Sequence, residues 1–149
     1  MKQVKIITAQ EAAQLVKDGD VVTTNGFVGS GQPEALTSAL EERFLNTGSP
    51  KDLTLIYAAS QGNTDGRGGD HFAHEGMLKK AILGHWNAVT SLQKLVNENK
   101  IQAYNLPQGT LSQYFRDVAA HRLGTITHVG LDTFADPRIS GGRLNDVTK

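Results

Sequence analysis

A short β-branched run that breaks into glycines sets the terms for this chain. Asp20-Val21-Val22-Thr23-Thr24 is too short for a helix and passes directly into Asn25-Gly26-Phe27-Val28-Gly29-Ser30-Gly31-Gln32-Pro33. Pro33 suits a first helical turn, and Leu36, Ala39, Leu40 and Phe44 then recur at helical spacing as far as Asn46-Thr47-Gly48. The order strand, glycine loop, helix returns later. Lys100-Ile101-Gln102-Ala103-Tyr104-Asn105 predicts a strand and Leu106-Pro107-Gln108-Gly109-Thr110 a turn, after which Leu111, Tyr114, Phe115, Val118 and Ala119 form an apolar helical stripe. Strands alternating with helices predict an α/β fold, a mostly parallel open sheet with flanking helices.

The remaining segments fit that scheme. Thr8 and Glu11 form a capping box for a short helix through Lys17, which Asp18-Gly19 ends. Leu53-Thr54-Leu55-Ile56-Tyr57 is nearly all apolar, as for a strand buried on both faces. Lys79-Lys80-Ala81-Ile82-Leu83 predicts a further strand with the lysines on a solvated edge, and Ser91 caps a helix carrying Leu92, Leu95 and Val96. Thr125-Ile126-Thr127-His128-Val129-Gly130-Leu131 is read as a return to the sheet. From Asp136 to the end the chain is polar and glycine-rich without hydrophobic period, and reads as interrupted. That segment has too few apolar residues to close a sheet, so an uncovered apolar face or strand edge is expected.

Composition narrows the chemistry. Fifteen Lys plus Arg balance fifteen Asp plus Glu in 149 residues, so no global field draws the chain to nucleic acid or an anionic membrane. Cysteine is absent, which excludes disulfides, thiolate nucleophiles and cysteine-based metal centres and makes a reducing cytoplasm the default. The N-terminal residues lack the apolar stretch of a signal peptide or membrane span.

In open α/β sheets, loops at the carboxyl ends of strands collect ligands, and helix N-termini there offer unpaired N–H groups. The 26–31 loop is spaced GxxGxG rather than GxGxxG, and Pro33-Glu34 stands where a third dinucleotide glycine belongs. Its glycines serve either a positive-φ turn or a cradle of backbone amides for an anion or polarised carbonyl. His71 and His74, with Asp70 and Glu75, invert the zincin order in a glycine-rich loop, and they are read as solvated loop histidines rather than metal ligands. His85-Trp86 reads as a packed or partner-facing pair in which His supplies a hydrogen bond. No Gly-x-Ser-x-Gly elbow surrounds Ser30 or Ser60.

Four stretches then carry a resemblance. They are Asp18 through Pro33; Ala73-His74-Glu75-Gly76-Met77-Leu78 with Gly84-His85-Trp86; Ala103 through Leu111; and Gly130 through Arg138 with Gly141-Gly142-Arg143-Leu144-Asn145. In that order they resemble the glutamate-dependent CoA transferases of the propionate/acetate or acyl-CoA:acetate/3-ketoacid branch. One departure is visible: Asn25 occupies the place of a family glycine, although Asn tolerates left-handed backbone better than most residues.

The resemblance implies a fold of two similar halves, of which residues 1–149 are the N-terminal part of the first, alpha-type domain. It implies a ping-pong exchange of CoA between an acyl-CoA and a free short-chain carboxylic acid, through a glutamyl-CoA thioester. The nucleophilic glutamate belongs to the second half, and none of Glu11, Glu34, Glu41, Glu42, Glu75 or Glu98 lies in its motif. Coenzyme A is then a substrate, no permanently bound cofactor or metal is expected, and the C-terminal half and a homo-oligomer are the expected partners. Gly26, Phe27, Val28, Gly29 and Gly31 would line the cleft, with amides near Val28 and Gly29 facing the oxyanion, and Gln108 and Gly109 would approach the nucleophile. Two other classes stay open: a phosphate-binding α/β domain of an isomerase or nucleotide-binding protein using the 26–31 loop with Lys79-Lys80, and a non-catalytic assembly module.

Overall fold

The computed structural model describes residues 4–148. Its elements run α1 (Ala9–Ala13), β1 (Val21–Thr23), α2 (Glu34–Thr47), β2 (Leu53–Tyr57), a 3-10 turn (Gly68–Phe72), β3 (Leu78–Leu83), α3 (Thr90–Asn97), β4 (Gln102–Asn105), α4 (Gln108–Ala119) and a last 3-10 turn (Asp146–Thr148). The strands form one sheet in the order β1-β2-β3-β4, every pair parallel. The expected α/β sheet is present. Its core lies where β2 and β3 carry Leu53, Leu55, Tyr57, Leu78, Ala81 and Leu83 against Leu40, Phe72, Leu92 and Ile101.

Local chemistry accounts for the element boundaries. The Thr8–Glu11 capping box forms, but α1 stops at Ala13 rather than reaching Lys17. Arg43 of α2 donates to the Ala13 and Val16 carbonyls at 2.6 and 2.8 Å, which satisfies acceptors that a longer helix would have used. The α3 helix starts at Thr90, and its capping comes from outside: Asp70 Oδ1 accepts the N–H groups of Ser91 and Leu92 at 3.0 and 3.3 Å. Ser91 lies inside the helix. A carboxylate brought by tertiary packing has replaced the local cap.

Three expectations are corrected. Thr125 to Leu131 forms no strand; Ile126 is fully exposed, and Thr125 is instead bound to Asp117 of α4 at 2.6 Å. Lys79 and Lys80 do not lie at an edge, because β3 is paired on both sides, with the Lys80 ammonium 6.0 Å from the Tyr104 ring centre. The segment after Asp136 is ordered by hydrogen bonds rather than apolar periodicity. Asn105 N donates to Gly142 O at 2.8 Å and Leu144 N to Ala103 O at 3.0 Å, so this segment covers the outer edge of β4 in antiparallel fashion. Asp136, held well below the carboxylate range by the Arg138 guanidinium, accepts the Asp132 and Arg138 N–H groups and fixes the preceding turn.

The other side is open. Among the described residues β1 has no strand on its outer edge, and an apolar groove of about 720 Å³ runs beside it. Val16, just after α1, and Leu36 and Leu40 of α2 line it, with Phe115 and Val118 from α4. Leu111 of the α4 stripe is buried, but Phe115, Val118 and Ala119 border the groove, and Val118 is 51% exposed.

The histidines expected in solvent are packed. His71 is buried in the 3-10 turn, with Nε2 2.7 Å from Glu34 Oε1 and Nδ1 2.6 Å from Glu41 Oε2. His74 Nε2 meets Glu41 Oε1 at 2.6 Å, which gives an unbroken chain Glu34–His71–Glu41–His74 between α2 and the turn. Glu34 and Glu41 stand two helical turns apart and so share a face, which is what brings both carboxylates to one ring.

Burial alone would disfavour the imidazolium of His71, but the Glu34 and Glu41 carboxylates outweigh it and raise its pKa above the ordinary 6.5. A group whose folded pKa is raised adds stability that is complete below its unfolded value and is lost as pH rises through the folded one. The melting temperature of the chain is therefore expected to fall as pH rises above about 6.5. The decline should be absent in His71→Asn, and thermal unfolding of both proteins from pH 5.5 to 9.5 tests it; parallel profiles would refute the assignment.

Candidate functional site

All four strands being parallel, their carboxyl ends lie at one edge of the sheet, and each continues into a loop there. The 26–31 loop follows β1, the 58–67 segment follows β2, Gly84-His85-Trp86 follows β3, and Pro107-Gln108 follows β4. β1 and β4 are three strand spacings apart, about 14 Å. The sequence-predicted residues thus fall into two groups, Gly26 to Gly31 on one flank and Gln108 with Gly109 on the other. The ends of β2 and β3 stand between them.

The 26–31 loop is built by its own backbone and by the segment after β2. Phe27 N donates to Ser30 O at 2.9 Å and Ser30 N returns to Phe27 O at 3.0 Å, closing a tight turn. Gly26 has φ +131°, and a Cβ there would lie 2.8 Å from Gln32 N, so only glycine lets the two ends of the loop approach. Val28 is the strained member, a β-branched residue at φ 53°, which costs roughly 1–3 kcal/mol. Two hydrogen bonds oppose that cost, Val28 N to Ser60 O at 2.8 Å and Gly62 N to Val28 O at 3.0 Å, at about 0.5–1.5 kcal/mol each.

That arrangement decides which amides can serve a ligand. The Val28 N–H is committed to Ser60 O, whereas the Gly29 N–H has no acceptor among the described residues. Gly29 also has room: a Cβ added there would meet Asn63 Cβ no closer than 4.0 Å, and Gly29 is not among the positive-φ glycines. The fold does not require glycine at position 29. Phe27 stands beside it, 59% exposed.

Gln61 carries no signal in the sequence. It is 2% exposed and clamps the end of β1, with Nε2 donating to Thr24 O at 2.8 Å and Oε1 accepting from Thr24 Oγ1 at 2.7 Å. Beneath it, burial pushes the Tyr57 phenol above its ordinary range, reinforced by the Asp70 charge, and burial likewise raises Asp70. Ser60 is buried and its Oγ accepts from Ala88 N at 3.1 Å, a structural use. On the far flank Gln108 is the first residue of α4, exposed, with its Cγ over Gly84. His85 departs from expectation, since its Nδ1 and the Trp86 Nε1 are both enclosed and make no hydrogen bond, while Trp86 packs on the core.

Electrostatics argue against phosphate at this end of α2. Glu34 occupies the first helical turn, where its Oε2 takes the Gly68 N–H at 3.0 Å and the Gln32 amide at 3.3 Å. Burial would raise Glu34, but hydrogen bonds from His71 and Gly68 outweigh it and keep the carboxyl below its ordinary value. The positive end of the helix dipole therefore faces a resident carboxylate. No helix among the described residues is long and apolar enough to cross a membrane.

A family model described as coenzyme A transferase matches residues 6–147. The chain is 40% identical over 149 residues to acetate CoA-transferase YdiF of Escherichia coli K12, covering 99% of this chain and 28% of that protein. It is 38% identical over 144 residues to caffeate CoA-transferase of Acetobacterium woodii, 97% of this chain and 28% of that one. Its backbone superposes on the YdiF apoenzyme of Escherichia coli O157:H7 with a TM-score of 0.92 at 39% identity, over 98% of this chain and 28% of the other. The thioester complex of that transferase with CoA gives a TM-score of 0.91, over 96% of this chain and 30% of the other. The chain thus spans less than a third of the length of these relatives, and within that span its sequence and its fold agree: it belongs to the coenzyme A transferase family.

Proposed function

We propose that these residues form the N-terminal part of the first domain of a short-chain acyl CoA transferase, with the nucleophilic glutamate supplied by a second half outside residues 1–149. The observation that carries the reading is the unpartnered Gly29 N–H in a rigid loop at the carboxyl edge of the sheet, within a chain that matches CoA transferases almost end to end. In this reading Gly26, Phe27, Val28, Gly29 and Gly31 form the wall of the cleft, and Gln108 and Gly109 face the nucleophile from the far flank. The enzyme works in a cytoplasmic, oligomeric form with coenzyme A as substrate and no resident cofactor.

The chemistry balances without an external reagent. The glutamate carboxylate attacks the thioester carbonyl, the C–S bond breaks, and CoA thiolate leaves a mixed anhydride. Thiolate then attacks the glutamyl carbonyl, the first acid departs as its carboxylate, and glutamyl-CoA remains for the second acid to reverse the sequence. The acyl thioester consumed and the glutamyl thioester formed are the same kind of bond, so the exchange runs in either direction, and the mixed anhydride splits it into two easier steps. Each attack places negative charge on a carbonyl oxygen, and a preorganised N–H such as that of Gly29 contributes about 3–4 kcal/mol at such a point. Val28 contributes differently, by holding the loop to Ser60 and Gly62.

A chimera tests the reading. Residues 1–149 replacing the matching stretch of YdiF are expected to restore CoA exchange between acetyl-CoA and propionate; a folded chimera without exchange would overturn the proposal. The groove beside β1 should bind a hydrophobic dye in the isolated chain and lose most of that signal in the chimera. Within the chimera, Gly29→Ala keeps the N–H but sets a methyl group where the reacting carbonyl must approach it, and is expected to lower turnover about tenfold or more. Its melting temperature should stay unchanged or rise slightly, since the position accommodates a Cβ. Unaltered turnover would assign Gly29 to the turn alone.

A further inference from the structure

The Glu34–His71–Glu41–His74 chain lies behind the 26–31 loop rather than in the cleft, and Glu34 belongs to both. Its Oε2 holds Gln32, at the exit of the loop, and the Gly68 N–H, at the start of the 3-10 turn; its Oε1 holds His71. Gln32 is in turn packed against the Gly26 backbone, at the loop's entrance. The same turn faces the loop a second way, because Gly69 N donates to Gln61 O at 2.6 Å and Gln61 clamps Thr24. The His71 side chain is only 10% exposed, and each ring nitrogen faces a carboxylate oxygen. Only the imidazolium donates to both. A neutral ring would aim a lone pair at one of the carboxylates, and that contact would open.

We propose that Glu34, His71 and Glu41 are positioning residues of the transferase, a charged relay that fixes the 26–31 loop from behind and loosens it when His71 loses its proton. The proposal rests on the transferase reading for what the loop serves, but not for the relay itself. The groups around His71 are Glu34 and Glu41 from α2, Asp70 from its own turn, and His74, which shares Glu41; Arg67 acts on Glu34 from the preceding loop, and Asp65 on Asp70. From α3 the contact is through the backbone N–H groups of Ser91 and Leu92 to Asp70. The Glu41 carboxylate is bound to His71 and His74 and not to the loop, so altering it acts on the loop through His71.

The test is a titration of the full 149-residue chain labelled at histidine rings and glycine amides, followed by NMR from pH 5 to 10 with circular dichroism to exclude unfolding. The amides of Gly26, Gly29 and Gly31 are expected to shift with the His71 midpoint. Glu41→Gln should move both midpoints down by about 1 pH unit. Glu34→Gln should leave His71 titrating while the glycine amides no longer follow. In the YdiF chimera the alkaline limb of kcat should move with Glu41→Gln by the same amount, with little change in KM. Glycine amides that stay fixed while His71 titrates overturn the relay, and the wild-type chain alone decides this if a variant fails to fold. A chimera without CoA exchange whose histidine and glycine titrations remain coupled overturns the transferase reading and supports the relay.

Discussion

Parallel pairing of β1 to β4 is the constraint on which the rest depends. Each parallel connection must return across a face of the sheet before the next strand begins, which is why α2, α3 and the long 58–77 segment exist between strands. The same constraint sends every strand's carboxyl end to one edge. A loop after β1 and a helix start after β4, far apart in sequence, thereby bound one cleft. The central strands satisfy their backbone on both sides and carry the largest buried side chains, so the edge they define is rigid.

On that edge the polar work is done by residues that pair backward, into the fold. Gln61, Ser60 and Asp70 are almost fully buried, and each meets backbone groups of a neighbouring element: Thr24, Ala88, and Ser91 with Leu92. Buried polar groups of this kind are costly unless satisfied; the Gln61 and Ser60 pairings fix one geometry, while Asp70 uses Oδ1 alone and its Oδ2 is enclosed without a partner. The consequence is selective exposure. Val28 gives up its N–H to the scaffold while Gly29 keeps its own for a ligand.

The open flank beside β1 has the opposite character. An unpaired parallel edge bordered by Leu36, Phe115 and Val118 leaves apolar surface that a soluble chain ordinarily covers. The β4 flank lacks this because the 142–144 segment pairs with it.

The sequence by itself determined the alternation of strands and helices, the glycine junctions at Gly26 and Gln108-Gly109, the Thr8 capping box and the family, because these depend on residue types within a few positions of one another. Tertiary structure decided the rest. Glu34 and Glu41 are ordinary helix carboxylates, and His71 and His74 look like loop polar residues, until α2 lies on the 3-10 turn and four side chains become one hydrogen-bonded chain. The spacing of seven does place Glu34 and Glu41 on one face of α2, a signal present in the sequence but silent about its partner. Asp70 displaced Ser91 as the cap of α3 for the same reason, and in place of the strand expected from Thr125 to Leu131 the Thr125 hydroxyl binds Asp117 and local turns take the Val129 and Leu131 N–H groups. Local patterns report how a segment prefers to fold, whereas the state of a buried charge or an unpaired amide is set by whichever distant group the fold brings within about 3 Å.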